Sequence, residues 1–226
     1  MCVDSWFPGR GMKKPRVLMA DDHSLILAGL RKLVEVECEV VATVEDGRTL
    51  VEAAQKHRPD LILLDISMPL LNGLEAARQL RTLVPESKLI FLTMHASPTY
   101  ATEAFQVGAS GYLLKRSAAS ELSLAIQSVL QGRHYLTPLL TKDVLESILK
   151  TSIGERGKPA PAVLTPRQRE VLQLVAEGHG TKEIATILNV SVKTVEFHKT
   201  RIMQQLDIHT TADLTKYSIT HGITGL

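Results

Sequence analysis

Five polar residues stand where short apolar runs end. Asp21 and Asp22 follow Arg16–Ala20, Asp65 closes Leu61–Asp65, Thr93 closes Lys88–Thr93, and Lys115 closes Gly111–Lys115. Three carboxylates brought together repel one another unless a cation neutralises them, so they point to a hard divalent ion. Mg²⁺ fits that set, because it takes one or two carboxylates, keeps waters and coordinates phosphate oxygens. A lysine supplies a compact positive charge and a threonine hydroxyl supplies a donor. Together they would cradle a phosphoryl group carried by a carboxylate, and Asp65, at the centre of the set, is the best nucleophile. Taken singly, each residue has a plainer explanation: an aspartate pair caps the next helix, and a lone lysine is a solvated charge. Four strand ends converging make coincidence a poor account.

That convergence depends on the elements between. Apolar runs at Arg16–Ala20, Glu39–Val44, Leu61–Asp65, Lys88–Thr93 and Gly111–Lys115 alternate with helical patterns near 23–36, 46–57, 72–84, 98–108 and 119–131. The pattern predicts an α/β domain: a doubly wound, flavodoxin-like sheet of five parallel strands covered by helices on both faces. In strand order 2-1-3-4-5, strands one and three are neighbours at the topological switch point, where ligands bind at the strands' carboxyl ends.

The second half carries no further strand pattern. One helix is expected over Pro138–Thr151, then an exposed linker over Ser152–Ala162 with two Gly and two Pro. Four helices follow, near Pro166–Glu177, Lys182–Leu188, Val192–Leu206 and Ala212–Thr220, the first opened by Thr165-Pro166-Arg167-Gln168, a capping box with proline at the first helical position. The expected division is a tail over 1–15, an α/β domain over 16–132, a linker with one helix over 133–162 and a small all-α domain over 163–226. Lys182–Leu188, the turn Asn189-Val190-Ser191 and Val192–Leu206 have helix-turn-helix proportions. Val195, Ile202 and Leu206 commit one face of the last helix to a core. Lys193, Lys199 and Arg201 can reach phosphates, while Glu196 and Phe197 can meet base edges. Spacing alone would equally suit an ordinary helical hairpin with a solvated face.

Composition narrows the classes. Only 4% of residues are aromatic, against base-stacking binders of single strands. Residues 16–132 hold 11 Lys/Arg against 14 Asp/Glu, and residues 160–226 hold 7 against 6, so any DNA affinity must come from local placement of charge. Cys2 and Cys38 are too few for a disulfide framework and read as free thiols in a reducing compartment. No apolar run approaches a membrane span and no signal-peptide plan opens the chain, so a cytoplasmic protein is expected. The stretch Met1–Gly11 reads as a loose tail, and Met12 as an alternative start.

The runs Leu18-Met19-Ala20-Asp21-Asp22-His23, Leu63-Leu64-Asp65-Ile66-Ser67-Met68-Pro69 with Asn72-Gly73, Leu92-Thr93 and Tyr112-Leu113-Leu114-Lys115 resemble receiver domains of two-component systems over about 16–132. The resemblance implies that Asp65 accepts phosphate from a sensor histidine kinase. Asp22, Asp65 and the Ser67 carbonyl would hold Mg²⁺, with Asp21 assisting through water. Lys115 would contact the phosphoryl group, Thr93 would move toward it, and the Tyr112 ring would follow inward as a switch. Met94 stands where many receivers have a small residue, which would restrict access. Ser67 and His95 lie at positions that tune acyl-phosphate lifetime. Haloacid dehalogenase-type phosphatases also use an aspartate after a strand but carry a second acid two residues on, where this chain has Ser67. The expectation is a phosphoaccepting protein, not a turnover enzyme, with at most intrinsic autodephosphorylation.

Leu164-Thr165-Pro166-Arg167-Gln168-Arg169-Glu170-Val171-Leu172, Lys182-Glu183-Ile184-Ala185 and Ser191-Val192-Lys193-Thr194-Val195-Glu196-Phe197-His198 resemble the LuxR-type DNA-binding domain over about 160–225. The whole chain resembles NarL/FixJ-class response regulators. The DNA-facing set would be Lys182, Lys193, Thr194, Glu196, Phe197, His198, Lys199, Thr200 and Arg201, with Glu196, Phe197 and Thr200 toward bases. His198 in this motif more often supports packing or a phosphate. The last helix, with Leu214, Tyr217 and Ile219, resembles a dimerising helix. Implied partners are double-stranded DNA bound as a homodimer, the kinase and, as a further candidate, RNA polymerase, with the unphosphorylated receiver holding the second domain docked or monomeric through the 133–162 connection. A closely competing expectation is that the first domain senses a partner protein or oligomerises without phosphate.

Overall fold

The computed structural model describes residues 13–154 and 164–224; most of the expected tail and most of the Pro/Gly linker lie outside them. The first domain is the expected parallel sheet, with strands β1 (Arg16–Ala20), β2 (Glu39–Val44), β3 (Leu61–Leu64), β4 (Lys88–Thr93) and β5 (Gly111–Leu114). Helices α1 (Ser24–Val34), α2 (Gly47–His57), α3 (Gly73–Leu83), α4 (Pro98–Gln106) and α5 (Ala118–Leu130) alternate with them. Their starts follow local chemistry: Asp46 accepts from the Arg48 and Thr49 N–H groups at 2.9 and 2.8 Å, and Asn72 accepts from Glu75 N–H at 2.9 Å. Strand side chains alternate between two cores. Leu18, Ile62, Leu64 and Phe91 pack with α2, α3 and α4, while Val17, Met19, Leu63 and Leu92 pack with α1 and α5. Cys38 is buried in the second core, where burial pushes its thiol up to about 11.

The sheet has six strands, not five, in the order β2-β1-β3-β4-β5-β6. The sixth, β6 (Tyr135–Leu136), belongs to the segment expected to be linker. Two residues carry no readable alternation, and what holds them is backbone pairing to β5. Tyr135 N–H donates to the Ser110 carbonyl and Thr137 N–H to the Tyr112 carbonyl, both at 3.0 Å, and the buried Thr137 hydroxyl accepts from Leu114 N–H at 3.1 Å. The following helix α6 (Pro138–Gly154) buries Leu140 and Val144 in the same core as α4. Much of the expected linker is therefore part of the first domain.

The second domain consists of α7 (Pro166–Ala176), α8 (Thr181–Ile187), α9 (Val192–Leu206) and α10 (Thr211–Thr220). Thr165 and Gln168 form the expected capping box, and Ser191 caps α9 through Thr194 N–H at 3.1 Å. Asp207, in left-handed conformation at φ 53°, ends α9. Leu164, Val171, Leu172, Leu174, Ile184, Val195, Ile202 and Leu214 form its core.

Among the described residues, the two domains touch through α7 and the segment just past α10. Leu70, in the loop after β3, packs against the core of the second domain. Arg169 on α7 pairs with Glu75 of α3 and Glu103 of α4 at 3.0 and 2.8 Å. Glu170 meets Arg48 of α2 at 3.5 Å and accepts from Gln79 of α3 at 3.3 Å.

Candidate functional site

Asp65 follows β3 directly and is held by the sheet, its N–H donating to the Ala20 carbonyl at 3.0 Å. Pairing of β1 with β3 brings Asp21 alongside, and β5 delivers Lys115 from the other side. The Lys115 ammonium lies 2.7 Å from Asp65 Oδ2 and 2.7 Å from Asp21 Oδ2. Asp65 and Asp21 are only 4% and 2% exposed. Burial pushes the Asp65 carboxyl above the usual range, and Lys115 offsets part of that rise. Burial works against the Lys115 charge, but Asp65 and Asp21 outweigh it and hold the ammonium above its ordinary value.

The third carboxylate, Asp22, is more exposed and pairs with His23 Nδ1 at 2.8 Å. Side-chain ligand atoms of Asp21, Asp22, His23 and Asp65 fall within 4.8 Å of one another. Three carboxylates against one ammonium leave two negative charges, which a divalent cation balances. The donors are hard oxygens, so the residues fit such an ion. His23 was not among the expected ligands, although its place directly after the aspartate pair was the available signal. The plainer alternative for Asp22, a helix cap, is not realised: the α1 cap position is His23, whose N–H donates to Asp21 Oδ1 at 3.0 Å.

The switch residues meet on His95. Thr93 is fully buried and its hydroxyl accepts from His95 N–H at 3.2 Å. Tyr112 is also fully buried, and its hydroxyl donates to the His95 carbonyl at 2.8 Å. The ring expected to move inward is thus already inside. Ser67 Oγ and His95 Nε2 are 2.8 Å apart, and the His95 ring lies 4.7 Å from that of Tyr100. Met94 is 67% exposed.

Gly73 fixes the loop beside Asp65. A Cβ there would sit 2.0 Å from the Asp65 carbonyl oxygen, a backbone atom held in place by the sheet. Gly73→Ala is expected to cost about 1–3 kcal/mol through overpacking, read as a lower urea midpoint with unchanged slope.

The helix-turn-helix face is open. Lys182, Lys193, Glu196, Thr200 and Arg201 are exposed, and Phe197 is 55% exposed with Arg201 over its ring at 5.4 Å. Thr194, His198 and Lys199 are half-buried. The Thr194 hydroxyl is 2.8 Å from Ser191 Oγ, within the α9 cap. Burial, then Arg167, lowers the His198 pKa. On α10, Leu214 is buried and Ile219 is 36% exposed.

Sequence reasoning missed the residues that join the domains. Arg169 and Gln173 on α7 and Glu177 at its C-cap recur every four residues, so they form one polar stripe. Such a stripe ordinarily reads as solvated, and only the structure shows it facing the first domain, with Gln173 buried and Arg169 and Glu177 half-buried. Tyr100, Glu75 and Glu103 on the other side carried no signal.

Residues 17–127 match the response regulator receiver domain family, and residues 162–218 match the bacterial regulatory proteins of the luxR family. The chain is 36% identical to the transcriptional regulatory protein DegU of Brevibacillus brevis, over 92% of this chain and 94% of that protein. It is 36% identical to the oxygen regulatory protein NreC of Staphylococcus epidermidis, over 90% and 96%. Among solved structures, the RcsB response regulator of Salmonella typhimurium aligns with a TM-score of 0.63 at 28% identity, covering 95% of this chain and all of that one. A LuxR-family response regulator from Aurantimonas aligns at 0.58 and 31% identity, over 61% of this chain and 99% of the other. Among the described residues no helix is long and apolar enough to cross a membrane. With both family matches spanning the two domains, in the same order as in full-length relatives, the chain belongs to the NarL/FixJ class of response regulators, a receiver joined to a LuxR-type DNA-binding domain.

Proposed function

We propose that Asp65 takes a phosphoryl group from a phosphohistidine of a sensor histidine kinase, and that this controls DNA binding by α8 and α9. The observation that carries the reading is the Lys115 ammonium held 2.7 Å from both Asp65 and Asp21 with Asp22 beside them. An Asp65 carboxylate oxygen forms the new O–P bond, the P–N bond breaks, and the leaving imidazole nitrogen takes a proton from solvent. Lys115 orients the phosphoryl oxygens and balances their charge. Mg²⁺, held by Asp22, Asp65 and the Ser67 carbonyl with Asp21 behind them, would neutralise those oxygens further. The protein accepts phosphate without acting as a turnover enzyme, beyond intrinsic autodephosphorylation, since Ser67 stands where a phosphatase would carry its second acid. The 2.8 Å contact between Ser67 and His95 supports a role for His95 in setting the acyl-phosphate lifetime.

The working location is the cytoplasm and the target is double-stranded DNA. A homodimer on paired half-sites suits the two-fold logic of helix-turn-helix proteins, and RcsB has been solved as dimers bound to DNA. RNA polymerase is the candidate partner downstream. Because α9 is exposed while the domains are docked, phosphorylation acts on pairing of the DNA-binding domains, not on uncovering α9.

The test is a gel-shift on promoter DNA with acetyl phosphate and Mg²⁺, comparing wild type with Asp65→Asn. The expected result is phosphodonor-stimulated binding in wild type and none in the variant. Equal stimulation in both would overturn the proposal.

A further inference from the structure

The loop that leaves Asp65 is bonded to the DNA-binding domain at three backbone positions. Gln173 of α7 is fully buried, and its amide is used at both ends. Nε2 donates to the Met68 carbonyl at 2.9 Å, while Oε1 accepts from Asn72 N–H at 2.7 Å. Nε2 also donates to Glu177 at 2.7 Å, and both Glu177 oxygens lie 3.2 Å from the Leu70 N–H that they accept.

A buried side-chain amide of this kind is satisfied only in one register, because each lost partner leaves a polar group without water. The loop has little freedom of its own. Leu70 is left-handed at φ 64°, a conformation side chains rarely adopt unless surroundings enforce it. Gly73 N–H is tied to the Ile66 carbonyl at 2.8 Å, so the segment is pinned at Asp65 from one side and at α7 from the other. Ser67 lies inside it.

We propose that Gln173, although carried by the DNA-binding domain, is a positioning residue of the phosphoacceptor site: it clamps the Met68–Asn72 loop beside Asp65 and thereby sets how readily Asp65 is phosphorylated. The inference rests on the reading of Asp65 as phosphoacceptor. Its sign follows from linkage. If phosphorylation weakens docking, release of the clamp must favour the phosphorylated state by the same factor. The clamp therefore holds phosphorylation back, and a DNA-binding domain drawn away by pairing on DNA returns a more readily phosphorylated receiver.

The test uses the full chain as wild type, Gln173→Ala, Gln173→Glu and Arg169→Ala. The glutamate keeps the acceptor for Asn72 but loses the donor to Met68. Arg169→Ala weakens docking at Glu75 and Glu103 without touching the loop. Two quantities are read: the extent of phosphorylation by acetyl phosphate, by mass spectrometry, and amide hydrogen exchange across Met68–Asn72. Both Gln173 variants are expected to raise phosphorylation by about fivefold or more and to speed exchange at Leu70 and Asn72, with Arg169→Ala giving a smaller change in each. Wild-type values in the Gln173 variants would overturn the proposal, and so would Arg169→Ala reproducing both effects in full. A wild-type protein that acetyl phosphate does not modify would instead fail the Asp65 reading, and the exchange measurement would still decide whether the clamp exists.

Discussion

Lys115→Met is expected to lower the stability of the receiver by about 3–5 kcal/mol, the usual cost of removing one partner from a buried ion pair, measured by urea unfolding without divalent ion. The side chain of Lys115 is only 4% exposed and its ammonium is shared between Asp21 and Asp65, so methionine leaves two facing buried carboxylates. One of them is then expected to take a proton, since like charges that close cannot both ionise cheaply. The loss should be greatest where both are ionised, and it shrinks as falling pH protonates one. Added Mg²⁺ should recover part of it by replacing the missing charge. Asp65→Asn provides the contrast. Burial raises the Asp65 pKa, so the folded state disfavours its charge, and the neutral amide is expected to leave stability at or above wild type. A Lys115→Met protein as stable as wild type would show that the two carboxylates do not depend on this ammonium.

That pair of variants concerns the part of the molecule most legible in its sequence. Strand ends were readable because continuous apolar runs in a parallel sheet stop where the chain turns toward solvent, and Asp21, Asp65, Thr93 and Lys115 stand at those stops. Helix starts were readable where one side chain decides them, as at Thr165 with Gln168. β6 was not, because Tyr135–Leu136 is held by backbone hydrogen bonds to β5, to which side-chain type contributes little. The mutual placement of the domains was hidden for a related reason. Arg169, Gln173 and Glu177 are residues that water would solvate equally well, so their partners alone decide that they face the other domain. His95 fell between these cases: its position suggested a role in the phosphorylation site, and the structure adds its contacts with Ser67 and Tyr100.

Tyr100 supplies the second large expected effect, through a glycine on the far side of the domain boundary. Gly222 → Ala is expected to open the docked form while leaving both domains folded. Gly222, just past α10, has φ +60°, and a Cβ there would lie 1.1 Å from the Tyr100 hydroxyl. The three atoms nearest that point all belong to Tyr100, so the added methyl meets the receiver and not its own domain. Left-handed backbone adds about 1–2 kcal/mol for alanine, smaller than the steric conflict. Tyr100 is expected to give way by turning its ring off His95, which would disturb the contact leading on to Ser67. The adjacent bond from Asn72 Nδ2 to the Ile223 carbonyl, at 3.4 Å, is too long to resist. X-ray scattering should show a larger radius of gyration for Gly222→Ala, and adding Tyr100→Ala should return the closed dimensions, because truncating the ring removes the obstruction. The double-mutant coupling expected of such a contact is roughly 0.5–3 kcal/mol. Affinity for a random-sequence duplex should change little on opening, since Lys193, Thr200 and Arg201 already face solvent in the docked form. If opening instead raised that affinity strongly, docking would be screening α9 from DNA, and pairing of DNA-binding domains would no longer be the step that phosphorylation controls.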